Sequence, residues 1–195
     1  MNPYEVASVL FGVVAVYLTV RENVWCWPLG LVNVGLSAVV FWQAKLYADM
    51  GLKVVYVVLC LYGWYEWLHG GADHGALPVS RSPRPTIGLL ALLGTAGAGL
   101  LGLALARHTD ASLPYWDSST TSFSLVAQFM QTRKWFENWI VWIVVDVVYV
   151  GMYVYKSLYP MAGLYAVFLV LAVLGFREWK ESLTAGPRIV PGPAG

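Results

Sequence analysis

The sequence predicts an all-α polytopic membrane protein: seven transmembrane helices arranged as three, one and three, forming two parallel three-helix-bundle repeats. Three observations predict it. The composition is too apolar for a soluble domain, with 58% hydrophobic residues, 12% charged residues and a mean hydropathy of +0.62. The apolar residues fall in continuous runs of about the 20 residues that cross hydrocarbon as helix, not in the alternation of a transmembrane barrel. Part of the chain also repeats itself.

The spans are expected at Tyr4–Val20, Val24–Ala44, Leu52–Leu68, Thr86–Ala106, Ser118–Thr132, Trp139–Lys156 and Pro160–Phe176. Span one reads as a retained helix, because "MNPYEVASVLF" lacks a basic n-region and no small-x-small site follows. Spans two and three follow across short segments. The Gly/Pro/Ser-rich "HGGADHGALPVSRSPRP" sets off span four, and the polar "RHTDASLPYWDSS" precedes span five. Span six is the apolar run of "RKWFENWIVWIVVDVVYV", entered past two basic residues and a Glu. Span seven ends before "TAGPRIVPGPAG". Residues 1–182 thus form one transmembrane domain, with repeat one at 4–68, a linker helix at 86–106, repeat two at 118–179 and a disordered tail at 183–195.

The repeat is read from "KLYADMGLKVVYVVLCLYGWYEW" (45–67), which aligns without gaps on "SLYPMAGLYAVFLVLAVLGFREW" (157–179). Upstream, "RENVWCW" resembles "FENWIVW" with a three-residue slip. One helix between two units of three gives both the same orientation, related by a pseudo-twofold axis along the membrane normal, with a site near the midplane. Lys and Arg divide eight (Arg21, Arg81, Arg84, Arg133, Lys134, Arg177, Lys180, Arg188) against four (Lys45, Lys53, Arg107, Lys156). The richer side is expected in the cytoplasm, placing the N-terminus outside and the C-terminus inside.

Polar stripes mark the interior. Asn138, Trp142, Asp146, Tyr149 and Tyr153 stack on one face of span six, and Thr121, Ser124, Gln128 and Gln131 recur along span five. Polar groups in hydrocarbon are costly unless they face the bundle or a water-filled cavity. Span two adds a shorter stripe, Asn33 and Ser37, with Gln43 near its end. Each buried Asn, Gln, Ser or Thr reads as readily as glue between helices, and for Asn33 and Ser37 that reading comes first. Asn138 with Trp142 is different, since an amide and an indole one turn apart can together hold a polar aromatic ligand. Asp146 reads equally as a structural acid or as part of the site.

Enzyme chemistry finds no support in the residues. His69, His74 and His108 fall in loops or at span edges, and Asp146 has no carboxylate partner within the spans. The two cysteines, Cys26 and Cys60, lack metal-type spacing, and no GxxxxGK[ST] occurs. A net charge of +1 implies no nucleic-acid partner. No cofactor is expected. A carrier or facilitator remains, against a purely structural membrane protein that would bind no ligand.

"ENVWCWPLGLVNVGL", "FWQAKLYADM" and "YGWYEW" in the first unit, with "LPYWDSSTTSFSLVAQFMQTRKWFENWIVWIVVDVVYV" through "LGFREWK" in the second, resemble the bacterial PnuC-type nicotinamide riboside transporter family. The resemblance covers about Arg21 to Lys180. It implies a SWEET-like fold of two three-helix bundles joined by a linker helix, and a homotrimer in the inner membrane bilayer. It also implies facilitated diffusion of nicotinamide riboside, trapped by cytoplasmic phosphorylation. The family's ligand-contacting Asn and Trp fall on Asn138 and Trp142; Gln128, Asp146 and Tyr149 are added by proximity, and Asn33 from span two. "QFMQTRKW" departs from the family's more apolar stretch there. Relatives carry thiamine or riboflavin, so those ligands stand as alternatives, as does a proton-coupled carrier titrating Asp146. A phosphorylated ligand would want Arg or Lys inside the bundle, and none lies well inside a span.

Overall fold

The computed structural model describes residues 3–43, 47–109 and 112–185, and the side chains of 6–39, 52–109 and 112–185. Its helices are α1 Pro3–Val20, α2 Cys26–Gln43, α3 Tyr47–His69, α4 Arg84–His108, α5 Pro114–Thr132, α6 Asn138–Tyr155 and α7 Tyr159–Ala185. A single 3-10 turn covers Ala72–His74. Among the described residues the only β pairing is an isolated bridge between Ser80 and Trp135. Each expected span finds its helix. α7 runs past Phe176 to Ala185, taking residues 183–185 out of the expected tail. The side chain of Gln43, residue Lys45 and the tail from 186 onward lie outside the described residues.

By length and composition α4, α6 and α7 are long and apolar enough to cross a membrane, while the apolar stretches Val6–Val20 and Cys26–Val39 are shorter. The distribution of side chains is that of a protein in lipid. Leu100 is 72% exposed, and Leu10, Val54, Leu92, Val147 and Val170 are all more than half exposed. Ser118, Thr120, Ser124, Gln128, Thr132, Asn138 and Asp146 are buried. Water would penalise that arrangement; hydrocarbon requires it.

The α1–α2 and α5–α6 turns are built alike. Each helix ends one residue before a basic residue, followed by a left-handed residue, Glu22 (φ 53°) or Lys134 (φ 48°). Neither is glycine, so each left-handed turn costs roughly 1 kcal/mol. The same hydrogen bonds close both. Glu22 N–H donates to Thr19 O (3.0 Å) and Asn23 N–H to Leu18 O (2.9 Å), while Lys134 N–H donates to Gln131 O (3.0 Å) and Trp135 N–H to Met130 O (3.1 Å).

Packing behind the turns matches too. Trp27 lies over Gly63 and Trp139 over Gly175, each glycine giving the indole the room a Cβ would take. Trp27 meets Trp67 edge-on (5.4 Å, 90°), Trp139 meets Trp179 edge-on (5.4 Å, 87°), and Trp67 and Trp179 meet each other at 5.9 Å. Trp67 Nε1 donates to Gln131 O (3.0 Å), and Trp179 Nε1 donates to Thr19 O (3.1 Å). Arg133 pairs with Glu66 (2.8 Å) and Arg21 with Glu178 (3.4 Å). Arg21 and Arg133 lie 112 residues apart, as do Glu66 and Glu178, and so do Glu22 and Lys134, which bond to each other at 3.2 Å. The contacts therefore match Trp27 with Trp139, with no slip to Trp142.

Two features break the likeness. The 77–82 segment straps only the second turn: Ser80 N–H donates to Lys134 O (3.1 Å), Phe136 N–H to Ser80 O (2.9 Å), and Ser82 N–H to Glu137 Oε2 (2.8 Å). α4 packs on α5 alone among its long contacts, because Gly94 and Gly102 admit Phe123 and Tyr115; a Cβ there would approach those rings to 2.9 and 2.6 Å.

Candidate functional site

The other six helices enclose a cavity of about 510 Å³, within the range of small-molecule sites. α1 and α2 give it mostly small or aliphatic groups, among them Gly12, Val16, Gly30 and Val34. α5 gives Ser124, Gln128 and Gln131, and α6 gives Trp142, Asp146, Tyr149 and Tyr153. α3 and α7 supply Lys53, Tyr56, Tyr165 and Phe168. Trp27 and Trp139 line its end nearest the two matched turns. α4 does not reach it.

Five of the six expected site residues, Asn33, Gln128, Trp142, Asp146 and Tyr149, line this cavity. Trp142 is oriented by its own helix pair, its Nε1 donating to Gln131 Oε1 at 3.3 Å. The Gln131 backbone is in turn fixed by Trp67, so the indole plane is set through a short chain of bonds. Tyr149 belongs to an aromatic wall, 4.4 Å from Tyr165 and stacked at 5.8 Å on Tyr153. Asp146 is buried, and among the described residues no hydrogen bond or ion pair engages it. A buried carboxylate is costly unless it is paired or neutralised.

Asn33 serves two ends. Its Nδ2 donates to Ser8 O (2.6 Å), and Ser37 Oγ donates to Asn33 O (2.9 Å) while sitting 2.8 Å from Ser8 Oγ. It glues α1 to α2 while lining the cavity.

Asn138 stands apart from the other five. It is 0% exposed and absent from the cavity lining. As the first residue of α6 it donates Nδ2 to Trp135 O at 2.6 Å, while its buried Oδ1 has no hydrogen-bond partner among the described residues. The polar stripe of α6 leaves the cavity at this residue. Thr121, on the α5 stripe, is likewise outside the lining.

Lys53, near the start of the expected third span, brings a basic side chain into the lining, its Nζ 5.8 Å from the Tyr56 ring centroid. Tyr56, Tyr165 and the glycines of α1 and α2 escaped notice because aromatic and small residues in a span read as packing. Beside the turns, burial pushes the Lys134 ammonium below its usual range, the Glu22 carboxylate opposing this, while Nζ sits 4.5 Å over the Trp67 ring.

The profile of the nicotinamide mononucleotide transporter family matches residues 2–181. The nicotinamide riboside transporter PnuC of Escherichia coli is 28% identical, over 91% of this chain and 85% of its own. The riboflavin/roseoflavin transporter RibM of Streptomyces davaonensis is 28% identical over 87% of this chain and 81% of its own. The crystal structure of the vitamin B3 transporter PnuC shares the fold, with a TM-score of 0.73 at 23% identity over 94% of this chain and 84% of that one. The chain belongs to the nicotinamide mononucleotide transporter family and is a membrane transporter, not an enzyme.

Proposed function

We propose that the chain takes up nicotinamide riboside by facilitated diffusion across a bacterial inner membrane, with phosphorylation in the cytoplasm trapping the product. The observation that carries this reading is that Trp142, Asp146, Gln128 and Tyr149 all line one cavity. A pyridinium ring can stack on the indole while its positive charge approaches the unpaired carboxylate, an attraction strengthened where water is excluded. Gln128 then supplies an amide for the ribose or the carboxamide. Asn33 lines the same cavity, and Asn138 supports the site by holding the start of α6. A phosphorylated ligand would bring another anion beside Asp146, with Lys53 the one basic side chain in the described lining. The similarity to the E. coli nicotinamide riboside transporter supports the same ligand.

In this reading residues 1–182 are one transporter domain and all seven helices cross the bilayer. Repeat one and repeat two are parallel bundles joined by α4, supported by the matched turns, tryptophans and ion pairs. The matched turns face the cytoplasm with the C-terminus, and three copies assemble. Riboflavin is the second ligand, favoured by the RibM relative; thiamine is a third. Proton coupling would use Asp146, and uptake abolished by an uncoupler would support it.

Calorimetric titration of the detergent-solubilised protein with each of the three vitamins tests the proposal. Nicotinamide riboside should bind saturably and most tightly. Tightest binding of riboflavin would pass the site to the second reading, and binding of none would sink the uptake of these vitamins altogether.

A further inference from the structure

The two halves of the cavity do not contribute alike. The spacing of 112 residues that matches the turns and the tryptophan contacts also runs through the lining. At that spacing Trp142 corresponds to Gly30, Asp146 to Val34 and Gln128 to Val16, and all six line the cavity. The second half presents an indole, a carboxylate and an amide. The first half presents, at the matching places, a hydrogen atom and two isopropyl groups. At these three places the bonding groups sit on the second half and the space on the first.

Glycine inside a helix destabilises it relative to alanine, so its presence needs a cause. Close packing is the usual one, and it explains Gly63 and Gly175, where a Cβ would run into an indole. It does not explain Gly30. A Cβ there meets only Cys60 Sγ, at an ordinary 3.6 Å. Gly12, also in the lining, is tighter: its Cβ would come to 3.0 Å from Asn33 Nδ2.

We propose that Gly30 sets the size of ligand the site admits, its missing side chain being the space that receives the bulk of a ring held by Trp142. This rests on the vitamin-uptake reading above. A larger residue at position 30 narrows the cavity without touching any group that bonds the ligand. Gly30 is thus a specificity determinant that no polar pattern reveals.

The test uses the full chain in detergent, as wild type, Gly30→Ala and Gly30→Leu. Nicotinamide riboside and riboflavin are titrated calorimetrically, and melting temperature is read on the same samples. Gly30→Ala should melt at or above the wild-type temperature yet bind the wild type's ligand at least about five-fold more weakly, as overpacking demands. Gly30→Leu should abolish binding; should it fail to fold, Gly30→Ala decides. Wild-type affinity in Gly30→Ala overturns the proposal, and a lowered melting temperature with unchanged affinity marks a merely structural glycine and overturns it too. If the wild type binds neither vitamin, the uptake reading falls and takes this proposal with it. If the wild type binds and the variants bind equally, this proposal falls alone.

Discussion

Trp142 is held before any ligand arrives, because its indole N–H is committed to Gln131 and Gln131 is committed to Trp67. Pre-orientation of this kind lowers the cost of binding. Trp142→Ala should weaken nicotinamide riboside binding by about 1–3 kcal/mol, roughly five- to 150-fold, as titration would show. Asp146→Asn separates charge from shape: it should weaken the cationic riboside and spare neutral riboflavin. A drop in melting temperature with the ratio of affinities unchanged would make Asp146 a structural acid instead. Asn138→Ala should lower stability by about 1 kcal/mol through loss of its bond to Trp135 and leave affinity nearly unchanged. At this scale the sequence made the polar half of the site legible, since Gln128, Trp142, Asp146 and Tyr149 are unusual residues in lipid. It hid the other half, because Gly30 and Val34 look like any packing residue. Helical spacing places Asn138 on the stripe but does not show where the stripe passes from cavity to turn.

Gly63 and Gly175 bind α2 to α3 and α6 to α7 by the same device, an indole lying on a bare backbone. Gly63→Ala and Gly175→Ala should therefore each destabilise by about 1–3 kcal/mol, and by similar amounts, in thermal melts. The pair between half-buried Glu22 and buried Lys134 offers a pH test. Glu22→Gln removes the group that holds the lysine charged and leaves a buried ammonium uncompensated, a loss of about 3 kcal/mol at neutral pH. Burial depresses the Lys134 pKa in the fold, so the unfolded chain binds more protons and stability rises with pH up to the free lysine range. Melts of Glu22→Gln from neutral pH upward should show a steeper rise than wild type; a parallel course would place Lys134 in water. Helix positions were legible in the sequence because apolar runs and their polar breaks fix them. The register between the units was legible only where the alignment was ungapped, since shared letters in "RENVWCW" and "FENWIVW" suggested a slip that the tryptophan contacts do not follow.

For the whole molecule, an apolar exterior and a polar interior are two consequences of one solvent. Like turn and tryptophan contacts recur 112 residues apart, and Gln128, Trp142 and Asp146 on α5 and α6 stand where α1 and α2 have Val16, Gly30 and Val34. The loop that straps one turn and the helix α4 that leans on α5 both favour the second half as the steadier partner, which suits the half that carries the bonds. None of this asymmetry could be read from composition, because it arises from which equivalent residues differ, and equivalence emerges from contacts. The most direct measurement is a calorimetric titration of nicotinamide riboside into wild type and Trp142→Ala, prepared alike and melting at similar temperatures. The expected result is saturable binding of one ligand per chain in the wild type and at least about five-fold weaker binding in the variant. Absent binding in the wild type, or equal affinity in both, would contradict the account.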